Sequence, residues 1–189
     1  MKSLFLAAAL TATASIAAAA ESYTLDASHS QVLFSYDHLG FSTTFGMFSG
    51  FEGDIIWDKD SPANSSVTVS MATKSLFTGW EARKGYFMSE EFFRATDEDL
   101  ITFTSTSIEV TGDDTALITG DLTMNDVTKS VVLDAVLNQV GPHPFSGDEW
   151  AGFDATTTLL RSDFGLGAFG PAVGDEVQVQ ISIEAAKAK

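Results

Sequence analysis

The sequence predicts an all-β, antiparallel fold of about eight strands with one short helix, arranged as a sandwich or an up-and-down barrel. Three observations lead there. Apolar residues recur with a period of two along most of the chain. Turn signals rich in Gly, Pro, Asn and Asp separate the alternating runs at regular spacing. Isolated glycines interrupt an otherwise strand-like stretch, as bulges or sharp bends do.

The elements follow in order. Residues 1–20 read as a signal peptide. Lys2 supplies a positive start, Leu4 to Leu10 an apolar run, and Ala18-Ala19-Ala20 a small-residue cleavage site before Glu21. A membrane anchor is the weaker reading, because the run falls short of the roughly 20 apolar residues that span a bilayer. Residues 21–189 then form one domain, without repeats or a linker.

Val32, Phe34 and Tyr36 alternate with Gln31, Leu33, Ser35 and Asp37. Phe41 to Trp57 reads as one long strand broken by Gly46, Gly50 and Gly53. Asp60 to Ser65 is a turn, after which Val67, Val69 and Met71 alternate with small or polar partners. Ser89 to Ala95 is the helix candidate, with Ser89 as N-cap and Glu90 and Glu91 in the first turn. Ile101 and Phe103 start another strand. Residues 116–124 and 128–140 flank Asn125-Asp126, a hairpin turn. Trp150 to Leu160 is Thr-rich and alternating, and Gly165 to Gly174 is a connection. The last strand is the clearest: Val177, Val179, Ile181 and Ile183 alternate with Gln178, Gln180, Ser182 and Glu184.

Composition narrows the function. The chain has 189 residues, 44% of them hydrophobic, with 10 Lys+Arg against 26 Asp+Glu and a net charge of -16. That hydrophobic content supports a folded core rather than an acidic disordered chain. The charge balance opposes nucleic-acid binding, which depends on neutralising phosphates. The absence of cysteine removes disulfides, thiolate metal sites and a cysteine nucleophile.

Candidate chemistry is sparse. His29, His38 and His143 are the three histidines, and a structural or surface role is the expectation for each, with no metal and no cofactor. Asp26 and His29 are three apart in a non-helical stretch, and are not expected to face one another. Ser30 beside His29 lacks a nucleophile-elbow motif, and adjacent strand residues point to opposite faces, so hydrolysis is discounted. No catalytic residue is expected. Asn64-Ser65-Ser66 matches a glycosylation triplet, a pattern common by chance.

Several segments together resemble the YceI-like family of secreted polyisoprenoid-binding, lipocalin-like β-barrels. They are Tyr23 to Ser30 with its Asp26, His29 and Ser30, Asp37-His38-Leu39-Gly40 with Gly46-Met47-Phe48, and Thr78-Gly79, Arg83, Ser89 and Glu91-Phe92-Phe93. Ile101-Thr102-Phe103, Gly120 to Thr123, Val127-Thr128-Lys129, Arg161 to Gly165 and Gly174 to Val177 complete the ordered set. Lys84 and Tyr86 stand where the family often has Asp and His, and Asp126 where it usually has Gly.

The resemblance implies a barrel enclosing an apolar channel for an isoprenoid or similar amphiphilic lipid. The expected lining is Val32, Phe34, Tyr36 and His38 near the start, then Phe45, Met47 and Phe48. Val69 and Met71 follow, with Arg83, Phe92 and Phe103 in the centre. Arg161, Phe164, Val179 and Ile181 close it. For most of these, packed core is the competing reading, since both would use one inward face. The basic cluster Lys74, Arg83, Lys84 and Arg94 is further expected to neutralise Glu81, Glu90 and Glu91; in the alternative reading, Arg83, Lys84 and Arg161 focus an anionic or polar lipid head at the mouth. The implied function is a periplasmic, non-enzymatic lipid carrier. The alternatives are a quinone-presenting accessory with a membrane cytochrome as partner, and a ligand-free secreted stress or structural protein.

Overall fold

The computed structural model describes residues 20–189. The expected signal segment therefore lies, apart from Ala20, outside the described residues. Ten strands share one antiparallel sheet: β1 (Glu21–Leu25), β2 (Gln31–His38), β3 (Ser42–Ser49), β4 (Glu52–Trp57), β5 (Ser66–Ala72), β6 (Leu100–Val110), β7 (Thr115–Met124), β8 (Val127–Pro142), β9 (Glu149–Leu160) and β10 (Val173–Lys187).

The sheet closes through β10, which pairs β9 on one side and both β1 and β2 on the other. β1 and β2 are two segments of one path, interrupted by the turn at residues 26–30, and β3 and β4 likewise continue one another past Gly50. β1 pairs β4 while β2 pairs β3. Counted as paths, the wall is the expected eight-stranded closed barrel. Closure removes the unpaired edges that an open sheet would expose. One stretch is only partly sealed. β3 meets the segment after β5 through a single Met47–Phe77 bridge, with Met47 N–H donating to the Phe77 carbonyl at 2.9 Å and the reverse bond at 2.8 Å.

The hairpin turn at Asn125-Asp126 forms as expected, with φ of 53° and 60°, the left-handed pair that suits the twist of the flanking strands. The glycines of the long broken strand divide into different roles. Gly50, at φ 72°, is the bend between β3 and β4. Gly46 is no bend, since the β2–β3 register runs through it unbroken.

The helix is displaced from its expected position. α1 spans Glu81–Phe87, while Ser89 to Phe93 forms consecutive turns. Gly79, at φ 74°, reverses the chain, and Glu81 opens the helix. Ser89 does not cap a helix, and its buried Oγ has no hydrogen-bond partner. Packing decides against local propensity here. Phe87 stacks on Tyr36 and Phe92, and Phe93 on Phe48, which holds the post-helix turns across the barrel end.

The opposite end is closed by a core of Tyr23, Leu25, Phe51, Val69, Ala151 and Ala185, with Trp57 and Phe153 packed against it. A polar clasp covers it. Lys59 pairs Glu21 at 2.8 Å and also Glu149, Lys187 pairs Glu21, and the Tyr23 hydroxyl donates to Glu149. These residues tie β1, β9, β10 and the end of β4 together. Hydrogen bonds from Lys187 and Lys59 hold the Glu21 carboxyl down at about 2. Burial, aided by its bond to Glu149, pushes the Tyr23 phenol up to about 12.

Glu21 stays ionised in the folded protein to about pH 2 but takes a proton near its ordinary value of 4.5 once unfolded. Its contribution is therefore complete above pH 4.5 and is lost as the pH falls toward 2. Thermal melts followed by circular dichroism should show Glu21→Gln less stable than the parent at neutral pH. The gap should close as the pH is lowered across that window, and a gap independent of pH would contradict the clasp.

Candidate functional site

Period-two alternation puts one face of every strand inside the barrel. The inward residues do not meet at the centre. They surround a cavity of about 930 Å³, near the upper end of the roughly 300–1,000 Å³ typical of small-molecule sites. Its lining runs from the β4–β5 and β6–β7 connections, with Lys59, Ser65 and Asp113, to the β2–β3 turn and α1, with His38, Ser42 and Arg83. Between these ends the wall is mostly apolar, with Thr157 of β9 among its polar positions.

Of the residues expected to line a channel, Val32, Phe34, Tyr36, His38 and Phe48 do so from β2 and β3. Val69, Met71 and Phe103 do so from β5 and β6, and Val179 and Ile181 from β10. Arg83, Phe92, Arg161 and Phe164 contribute at the helix end. Phe45 and Met47 are corrections. They fall on the outer parity of β3, opposite Ser35 and Leu33, and neither reaches the cavity. Phe45 is 63% exposed. β3 places Thr44, Gly46 and Phe48 inside and Phe45 and Met47 outside, so its own alternation does not mark the inner face.

Several lining residues lay beyond the expectations. Val131, Leu133 and Leu137 of β8, and Phe153 and Leu159 of β9, all face the cavity. Their own alternation was the available signal. Phe169, on the 165–172 connection, also lines it and packs near Tyr86 and Phe92, with ring centroids 6.4 and 6.2 Å away. Nothing local in the sequence marks it.

Two glycines keep the interior open. A Cβ on Gly46 would lie 2.3 Å from the Phe34 ring, and one on Gly120 would lie 2.4 Å from the Phe103 ring. Each aromatic ring thus rests on a wall position that lacks a side chain. A methyl group at Gly46 must push the ring elsewhere, and one at Gly120 would in addition meet the Thr104 carbonyl at 2.6 Å.

Arg161 does not act as a free cation at the mouth. It is 8% exposed. Its Nε donates to the Gly174 carbonyl at 2.8 Å, Nη1 to those of Leu166 and Ala168, and Nη2 to Val173 at 2.9 Å. The guanidinium is a hub that folds the connection between β9 and β10 over the barrel end. Arg83 is the more available group. It lines the cavity, donates to the Thr78 carbonyl at 3.3 Å, and has no carboxylate within ion-pair range among the described residues. That counts against the expected neutralisation of nearby carboxylates by Arg83 and Lys84.

Asp26 and His29 do face each other, contrary to expectation. The turn between β1 and β2 brings His29 Nδ1 to 2.6 Å from Asp26 Oδ2, while Ser28 N–H donates to Asp26 Oδ1 at 3.0 Å. The carboxylate raises the His29 pKa by hydrogen bonding. The group braces the β1–β2 bend and lies outside the cavity lining.

The model of the YceI-like domain matches residues 23–185. A UPF0312 protein of Pseudomonas putida is 39% identical over 161 residues, covering 85% of this chain and 83% of that protein. The crystal structure of Burkholderia cenocepacia BcnA superposes with a TM-score of 0.76 at 22% identity, covering 85% of this chain and 98% of that one. A domain from Saccharophagus degradans, described as polyisoprenoid-binding and implicated in plant cell wall breakdown, gives a TM-score of 0.67 at 15% identity over 88% of this chain and 98% of its own. These two structural likenesses speak to the fold.

Two outcomes test this geometry. Gly46→Ala, where an added methyl meets only the Phe34 ring, should leave the barrel folded but shrink the cavity visibly in a crystal structure, with a stability loss of about 1–3 kcal/mol. Arg161→Lys should lower the melting temperature nearly as much as Arg161→Met, because an ammonium cannot reproduce the fork to four carbonyls. Full rescue by lysine would mean that charge alone matters there.

Proposed function

The chain belongs to the YceI-like family, and from that premise we propose that it is a periplasmic carrier that holds an isoprenoid or similar amphiphilic lipid inside the barrel. The observation that carries the reading is the continuous cavity of about 930 Å³ with apolar walls and polar residues gathered toward its ends. A lipid tail in water costs roughly 0.8 kcal/mol for each exposed CH₂, so a carrier must wrap it. A tail along the apolar wall and a head group toward His38, Ser42 and Arg83 would match the two halves of an amphiphile. The name given to the Saccharophagus degradans domain supports an isoprenoid as the lipid.

Binding rather than catalysis is the role proposed. The lining offers a shape and a polarity gradient, with no paired acid and base aimed at its centre. The open interior also speaks against a ligand-free barrel packed solid. Export through the signal-like residues 1–20 would place the protein in the periplasm. Presenting a quinone to a membrane cytochrome would add a partner to the same binding step. Co-purification with a membrane redox protein would separate that role from a free carrier.

The experiment is native mass spectrometry of the protein purified from the periplasm without detergent, followed by identification of whatever is released. An isoprenoid bound one to one is the expected result. A different lipid would retain the carrier and reject the isoprenoid. A protein that is empty and also declines added polyprenols and quinones would overturn the reading.

A further inference from the structure

Most outward strand faces of the barrel are polar, as in β10 with Glu176, Gln178, Gln180, Ser182 and Glu184. The β2–β3 hairpin departs from this. Leu33 lies opposite Met47 on its outer face, Phe45 follows two residues along, and Phe77 is bridged to Met47. Phe41 at the hairpin tip is 91% exposed, Phe77 60%, and Trp80 at the start of α1 64%. Leu39 and Phe169 are also exposed, and both line the cavity. Both take left-handed backbone conformations, at φ 60° and 62°, which bulky residues adopt rarely. The outer apolar face therefore runs into the mouth of the cavity.

Charge is distributed in the same sense. Segments 38–51 and 75–80 of this face contain no Asp, Glu, Lys or Arg in a chain of net charge -16, and Asp37 at the end of β2 borders them. Arg83 and Lys84 follow on α1, beside Glu81. Both ends carry acids: Asp58, Asp60, Asp113, Asp114 and Asp148 on the far connections, and Glu90, Glu91, Asp97, Glu98 and Asp99 between α1 and β6 at this one. The uncharged segments, with Arg83 and Lys84 beside them, are the part of this end that an anionic lipid surface does not repel. Trp and Tyr at a boundary between apolar and wet surroundings are characteristic of membrane interfaces.

We propose that the outer face of the β2–β3 hairpin, with Phe41, Phe45, Phe77 and Trp80, docks on the lipid bilayer and sets the cavity mouth against it for loading and release. The proposal rests on the carrier reading, which supplies a ligand that resides in bilayers. Shallow insertion of a few aromatic side chains gives reversible attachment, as a shuttle needs.

The test is flotation of residues 21–189 with phosphatidylcholine vesicles, with and without phosphatidylglycerol, alongside binding of a short-tailed ubiquinone in vesicle-free buffer. The variant Phe41→Ser/Phe45→Ser/Phe77→Ser changes only residues outside the cavity lining. Vesicle association should fall at least about tenfold in that variant, with ubiquinone binding retained. Phe145→Ser, an exposed position on the β8–β9 connection at the far end, should change neither. The single variant Phe41→Ser, at a tip position with almost no contacts to lose, should show a smaller loss at an unchanged melting temperature.

A protein that binds ubiquinone yet ignores vesicles, or a triple variant that floats as well as its parent, overturns the docking face and leaves the carrier intact. Loss of flotation in the triple variant, with no ubiquinone bound by either protein, supports the docking face and rejects the carrier. A parent that ignores vesicles but dimerises through this face, with the dimer lost in the triple variant, assigns it to a second copy and overturns the proposal.

Discussion

The constraint on which the molecule depends is that its wall must stand without a filled interior. Most small barrels are held from within by interdigitated side chains. Here the cavity withholds much of that support, and stability falls to the backbone ladder and to the packed ends. β10 carries the largest share, because one strand pairs three others and thereby joins the last path to the first. The far end adds the Tyr23–Trp57–Phe153 aromatic group beneath the Lys59 clasp. The near end adds the phenylalanines around α1 and the Arg161 hub. Packing is concentrated at the two ends of the cavity, where Trp57, Phe153, Phe87, Phe92 and Phe93 also contribute to its lining.

The same division explains what the sequence could disclose. β10 was legible because its two faces differ in polarity, so period two identified both a strand and its inner side. The Asn125-Asp126 turn was legible because its chemistry is local. Phe45 and Met47 were misassigned because β3 carries its polar and small residues, Ser42, Thr44 and Gly46, on the inner side, so alternation along that strand misleads. The helix was misplaced because Ser89-Glu90-Glu91 carries a good local start signal that aromatic packing overrides.

Arg161 and the Asp26–His29 pair show a second limit. An arginine in a sequence reads as a charge looking for an anion, yet the partners of Arg161 are four main-chain carbonyls that leave no trace in side-chain patterns. Asp26 and His29 meet only because the chain reverses between β1 and β2. The glycines are the converse case. Gly46 and Gly120 looked like breaks or nothing at all, and their meaning appeared only once Phe34 and Phe103 were seen lying against them.

The pairing pattern of β10 also fixes an order of events in time. From β5 through β9, each strand pairs the next one along the chain, so these hairpins require only short loops to close. The seam between β10 and the β1–β2 path instead joins residues such as Val32 and Ile181, or Tyr23 and Lys187, from opposite ends of the described chain. No earlier segment can substitute for that strand. The ring is therefore sealed only after Val173–Lys187 is available, and until then the chain is an open sheet with its apolar face exposed. Until that seam forms, the exposed apolar face is a surface open to aggregation.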